Sequence, residues 1–213
     1  SMPQEFAKDI FKNFGITVFE ILLLDKYKKE WRYLLDLSDD VKQKYLNATK
    51  NGAILLASHF NNWEILALFS NQFGDKVLTV GQEVKNQYLN KLIKDMRLKN
   101  LYLASKKGFI KESLNFLKKG KSIALLTDQN AGSHGIQMNF LGRPCSTFTT
   151  HAVLSIRSGK PIVPIFDIRD NCSGKHIMHI CDPIFPDKDL ADEDYDKEVC
   201  TMCGTLCAIK IDG

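Results

Sequence analysis

Two side chains suited to proton transfer, His59 and Glu64, stand five residues apart in the run Gly52 to Phe69, GAILLASHFNNWEILALF. An imidazole titrates near neutral pH and can serve as a general base. A carboxylate beside it can fix the tautomer and stabilise the imidazolium, as the third group of a triad does. No serine or cysteine nucleophile is required where the substrate supplies the hydroxyl. On one continuous helix these two side chains would point apart. A loop at His59 followed by a helix start at Glu64 lets the chain fold back and bring them together. The same spacing also fits a surface histidine followed by an acid favoured by a helix N-terminus, and spacing alone leaves both readings open.

The elements that would hold this pair can be read on either side of it. Ala53 to Ala57 is a short apolar run opened by a glycine, as in a buried strand. Asn61 or Asn62 is placed to cap a helix that carries Ile65, Leu66 and Phe69. Ser58, His59 and Phe60 then fall in the turn at the strand's carboxyl end, where open α/β sheets place their ligands. Further strands are expected over 76–80, 101–104, 122–127 and 162–168. Helices are expected over 39–50, 86–98, 110–119 and 150–158. Strands alternating with helices indicate an α/β fold with a largely parallel sheet. If the strands ending at Ala57 and Thr127 run parallel in one sheet, His59 and Asp128 share one rim.

His59-Phe-Asn-Asn-Trp-Glu64 resembles the His-x4-Glu signature of the bacterial lipid A biosynthesis (late) acyltransferases, a branch of the glycerolipid acyltransferase superfamily. Asn62-Trp63-Glu64 has the form typical of that branch. The likeness continues in order through Arg97, Thr127-Asp-Gln-Asn-Ala-Gly132, Phe140-Leu-Gly-Arg-Pro144 and Pro161-Ile-Val-Pro164, from Phe11 to Pro186. Leu141 departs from the family's Phe-Phe-Gly-Arg-Pro, a mild change for the wall of an acyl pocket. The resemblance implies a single glycerolipid-acyltransferase-like domain over 3–213, with helices flanking a mostly parallel sheet. It implies that His59 and Glu64 are catalytic. It further implies that Arg97 contacts a phosphate, that Asp128 shapes the cleft and holds Arg97 or the acceptor, and that Gln129 and Arg143 assist in substrate binding.

Composition sets limits on this reading. The chain has 213 residues, with 44% hydrophobic and 25% charged, ordinary for a globular protein with a sizeable core. Six cysteines without regular spacing read as reduced thiols. Ser1-Met2 reads as an expression remnant. No apolar stretch is long enough to span a bilayer. The family's membrane anchor ahead of Phe11, and its aromatic and basic segment after Gly213, are expected to have been trimmed away. Phe11, Phe14, Val18, Phe19, Leu22 and Leu23 form an amphipathic helical stretch, with a possible capping box Thr17-x-x-Glu20. Core packing is the expected role of its apolar face, ahead of a position in the headgroup plane.

Charge is uneven along the chain. From Lys94 to Lys121, nine Lys and Arg face two acids, a local charge of +7; from Asp182 to Glu198 the balance is −6. A basic face suits anionic headgroups or an acidic carrier protein. Cys200, Cys203 and Cys207 fall at i, i+3 and i+7 of an apparent helix with no evident fourth ligand, which favours buried small residues over zinc. His134 reads as a loop residue, and His151, His176 and His179 as structural. Pro161 and Pro164 are expected to flank a strand at the sheet edge.

The resemblance implies acyl transfer from an acyl thioester, on acyl carrier protein or acyl-CoA, to a hydroxyl of a lipid A precursor. The expected setting is the cytoplasmic face of a bacterial inner membrane. No metal, nucleotide or nucleic acid is called for, and no Gly-rich phosphate loop occurs. Two alternatives are a lysophospholipid or other glycolipid acyltransferase using the same dyad, and a non-catalytic lipid-binding module.

Overall fold

A computed structural model describes residues 4–27, 29–81, 84–140, 142–170 and 172–186. In chain order the helices are α1 (Gln4–Tyr27), α2 (Trp31–Leu34), α3 (Asp39–Thr49), α4 (Ile65–Asn71), α5 (Gln87–Asn100), α6 (Phe109–Lys118) and α7 (Thr150–Ser158). The strands are β1 (Leu35–Asp36), β2 (Ile54–Ala57), β3 (Leu78–Val80), β4 (Tyr102–Ala104), β5 (Ile123–Leu126), β6 (Ile136–Phe140), β7 (Arg143–Thr147), β8 (Ile162–Arg169) and β9 (His176–Ile180). Among the described residues, seven strands form one sheet in the order β1-β9-β8-β2-β5-β3-β4, while β6 and β7 pair only with each other. All neighbours in the large sheet are parallel except β8 and β9. The fold is α/β with a mostly parallel sheet.

Every residue of β2 is buried, because parallel strands in such sheets are covered on both faces. Alternate side chains serve opposite layers. Leu55 and Ala57 join Leu24, Tyr45, Ile65, Leu68 and Phe69 in one core cluster. Ile54 and Leu56 join Phe109, Leu117, Ala152 and Leu154 in the other. Entry into β2 depends on Gly52, at φ +83°, where a Cβ would stand 2.8 Å from the backbone of Gly120 and Lys121. Only glycine fits that crossing.

Several expectations change in three dimensions. Asn61 and Asn62 do not cap α4 at its first turn. The helix begins at Ile65, with Glu64 in the N-cap position, and Asn62 Oδ1 accepts from Glu64 N (3.2 Å). Asn62 closes a short turn ahead of the helix. Thr17 and Glu20 form no capping box, since both lie inside the longer α1, where their side chains accept from Arg169. The core-packing expectation for α1 is overturned. Thr17 and Leu24 are buried, whereas Phe6, Phe11, Phe14, Phe19 and Leu22 are 59–76% exposed. A partner for Glu20 on β8 turns the polar stripe inward and the aromatic stripe outward. Pro164 sits inside β8, an interior strand, not at a sheet edge, and its carbonyl accepts from Cys181 N (3.0 Å). The hairpin β6–β7 and the strand β9 are additions. Cys200, Cys203, Cys207 and most of the acidic run lie outside the described residues.

Candidate active site

Sheet register brings the site together. β2 and β5 pair in parallel with Ala57 opposite Leu126, so His59 and Asp128 leave the sheet side by side, two residues past that pair. The carboxylate grips the histidine twice. Asp128 Oδ2 accepts from the backbone N–H of His59 (2.7 Å) and Oδ1 lies 2.8 Å from Nδ1. The pair is one-third exposed, with side chains at 33% and 37%. In the Nδ1–H tautomer the ring donates to Asp128, and Nε2 is then the nitrogen left to accept.

The expected contact between Glu64 and the imidazole does not form, nor does one between Asp128 and Arg97. Glu64 Oε1 instead accepts from Arg97 Nε (2.9 Å) and Nη2 (2.5 Å) and from Trp63 Nε1 (3.1 Å). Glu64 sits at the start of α4 and is 6% exposed. A carboxylate so buried needs a cationic partner, and α5 delivers Arg97 to it. The missing side chain of Gly81 makes room for this, since a Cβ there would come 2.9 Å from Arg97 Nη1. Trp63 links Glu64 to His59. The indole that donates to Glu64 packs edge-on against the imidazole, with ring centroids 5.1 Å apart.

A cavity of about 890 Å³ opens beside His59 and Asp128. Leu56, Phe60, Met138, Phe140, Phe166 and Ile168 give it greasy walls, and Gln129 joins the pair at its polar end. One wall is the separate hairpin β6–β7. His151, at the start of α7, also lines it and is buried, which pushes its pKa down to about 4 and keeps it neutral. A concave site with mainly apolar walls and a few convergent polar groups is the usual form of a small-molecule pocket. Arg97 and Arg143 are not among its lining residues, and Arg143 stands exposed near the hairpin tip. The sequence pointed to His59, Asp128 and Gln129 separately, and the fold unites them. Reading Asp128 as the imidazole's partner required knowing that β2 and β5 are neighbours.

The family of bacterial lipid A biosynthesis acyltransferases matches residues 2–206, nearly the whole chain. The chain belongs to that family. It is therefore an O-acyltransferase of the lipid A pathway in general terms. A comparison with individually curated proteins gives no match. Among the described residues of this acyltransferase, no group of three or more His, Cys, Asp and Glu is placed to hold a metal ion. No helix among them is long and apolar enough to cross a membrane.

Proposed function

We propose that this acyltransferase moves a fatty acyl chain from a thioester to a hydroxyl of a lipid A precursor, with His59 as general base and Asp128 as its orienting carboxylate. The observation that carries this reading is the double contact of Asp128 with His59 at the mouth of an apolar cavity. A sugar or acyl-chain hydroxyl is too weak an acid to ionise beforehand, so its proton must leave as its oxygen attacks. Nε2 takes that proton while the new C–O bond forms at the thioester carbonyl. The tetrahedral intermediate collapses, the C–S bond breaks, and the imidazolium returns the proton to the departing thiolate. Asp128 keeps Nδ1–H directed toward itself throughout and stabilises the cation.

In this reading the fatty chain lies in the cavity, and Gln129 binds near its polar end. Glu64 and Arg97 hold Trp63 against the imidazole. Arg143 is the candidate phosphate contact, by its fork of donors, since the fork of Arg97 is already engaged by Glu64. An acidic donor carrier is supported by the exposed lysines Lys94, Lys99, Lys106, Lys107, Lys111, Lys118, Lys119 and Lys121. Attachment to the surface of the bacterial inner membrane is supported by the outward aromatic stripe of α1. Assay of purified protein with acyl carrier protein thioester or acyl-CoA, and with lipid A precursor beside lysophospholipid, tests donor and acceptor together. The expected product is an acylated lipid A precursor that His59→Ala fails to make. Transfer to lysophospholipid alone would overturn the acceptor, and membrane binding without any product would overturn the enzyme.

A further inference from the structure

Behind the reactive turn lies a second set of ionisable groups, none of which lines the cavity. Glu20 comes from α1, Asp167 and Arg169 from β8, and His176 from β9. Asp167 is 2% exposed and His176 is fully buried. Arg169 donates through Nε to Glu20 Oε1 (2.8 Å) and through Nη2 to Oε2 (2.6 Å). His176 Nδ1 lies 2.8 Å from both carboxylate oxygens of Asp167, and Nε2 lies 3.3 Å from Glu20 Oε1. Burial alone would drive His176 neutral, but its bonds to Asp167 and Glu20 hold its pKa at about 9. Burial would likewise raise Glu20, yet His176 and Arg169 bring it to about 2. Two anions therefore face two cations. A buried ionic cluster of this kind is a poor source of stability compared with apolar packing. What it fixes is geometry.

The geometry it fixes is that of the turn. Asn61 Nδ2 donates to the carbonyl of Asp167 (2.9 Å), the backbone N–H of Asn62 to its carboxylate (3.1 Å), and Asn62 Nδ2 to Glu20 (3.1 Å). Asn61 is held at φ +50°, a conformation a non-glycine residue keeps only when its surroundings enforce it. These two residues follow His59 by two and three positions. The sheet explains the arrangement. β8 flanks β2 on one side as β5 does on the other, and its register places Asp167 three residues past the Leu56–Pro164 pair. The turn thus sits between two aspartates, Asp128 on the cavity side and Asp167 behind. Resting on the acyltransferase reading, we propose that Asp167 and Glu20 are positioning residues, which hold Asn61 and Asn62 so that the backbone and ring of His59 both meet Asp128.

A double-mutant cycle tests this. In steady-state acyl transfer, Asp167→Asn is expected to lower kcat by about tenfold or more while the KM for donor and acceptor moves less than about twofold. In an Asp128→Ala background it should cost nothing further, because its effect passes through the pair that is already gone. Losses that multiply, or a rise in KM with kcat unchanged, would overturn the proposal. Should Asp167→Asn not fold, Asn61→Gly carries the same cycle. Glycine accepts the positive φ without strain and gives up only the tie to the main-chain carbonyl of Asp167, for an expected loss of about threefold in kcat. The Nδ1–H proton of His59, followed by NMR in histidine-labelled protein, reads the same geometry without turnover. It should be present in the parent and lost in Asp167→Asn or, if that does not fold, in Asn61→Gly. An inactive parent overturns the function, while an unchanged proton signal in the folded variant overturns the positioning role.

Discussion

Two histidines in this acyltransferase each face an aspartate at 2.8 Å, in opposite surroundings. His59 meets Asp128 with one nitrogen only, and the other opens beside a cavity at a side chain one-third exposed. His176 has carboxylates against both nitrogens and no exposure. In the proposed mechanism the first takes a proton from the acceptor and returns it to the leaving thiolate. The second is a fixed cation at neutral pH. On that reading, what separates a base from a structural ion is the second nitrogen and its access to solvent, since the aspartate is common to both.

The sharpest way to break this contrast is His59→Ala, which should lower acyl transfer by up to about 10⁴-fold with the melting temperature little changed. Product formation at the parent rate would leave the two histidines indistinguishable. His176 makes the opposite prediction, in stability. Its folded pKa of about 9 lies above the ordinary 6.5 of the unfolded chain. The stabilisation is therefore complete below pH 6.5 and lost as pH rises toward 9. Denaturant unfolding should show a decline of about 3 kcal/mol across that window, and His176→Gln should flatten it.

Carboxylate variants sharpen the comparison further. Asp128→Asn keeps the shape but presents an amide to Nδ1, and should cost about 10²-fold in kcat by disturbing the tautomer. Glu64→Gln touches the imidazole only through Trp63 and should cost nearer tenfold. The reverse order in a single-turnover assay would restore Glu64 as the imidazole's direct partner. The smallest effect is expected on α1. Replacing Phe11 and Phe14 by Ser should leave turnover of a soluble substrate unchanged and weaken co-sedimentation with anionic vesicles.

Much of the scaffold was readable because it is written in local patterns. The buried run into β2, the cap at Asn86 that accepts from Tyr88 and Leu89, and the left-handed Gly159 that closes α7 each depend on a few adjacent residues. The shared rim of His59 and Asp128 followed from the parallel sheet. Which carboxylate faces the imidazole did not, because five residues of spacing say nothing of the direction in which a side chain points, and Glu64 is drawn to Arg97, 33 residues away. The orientation of α1 was hidden for the same reason. An amphipathic pattern gives the width of a stripe but not its facing, and here Arg169 decides it from 149 residues beyond Glu20. β6 and β7 are not legible in the sequence because half-exposed, mixed strands carry little periodic signal.

That hairpin has a bearing on how such enzymes diversify. Its ladder is self-contained, joining Ile136–Phe140 to Arg143–Thr147 without sharing a bond with the seven-stranded sheet. Substitutions at Met138 or Phe140 can therefore reshape the cavity while His59 and Asp128 stay anchored at the ends of β2 and β5. If the fatty chain lies in this cavity as proposed, chain-length preference and chemistry are separately heritable traits.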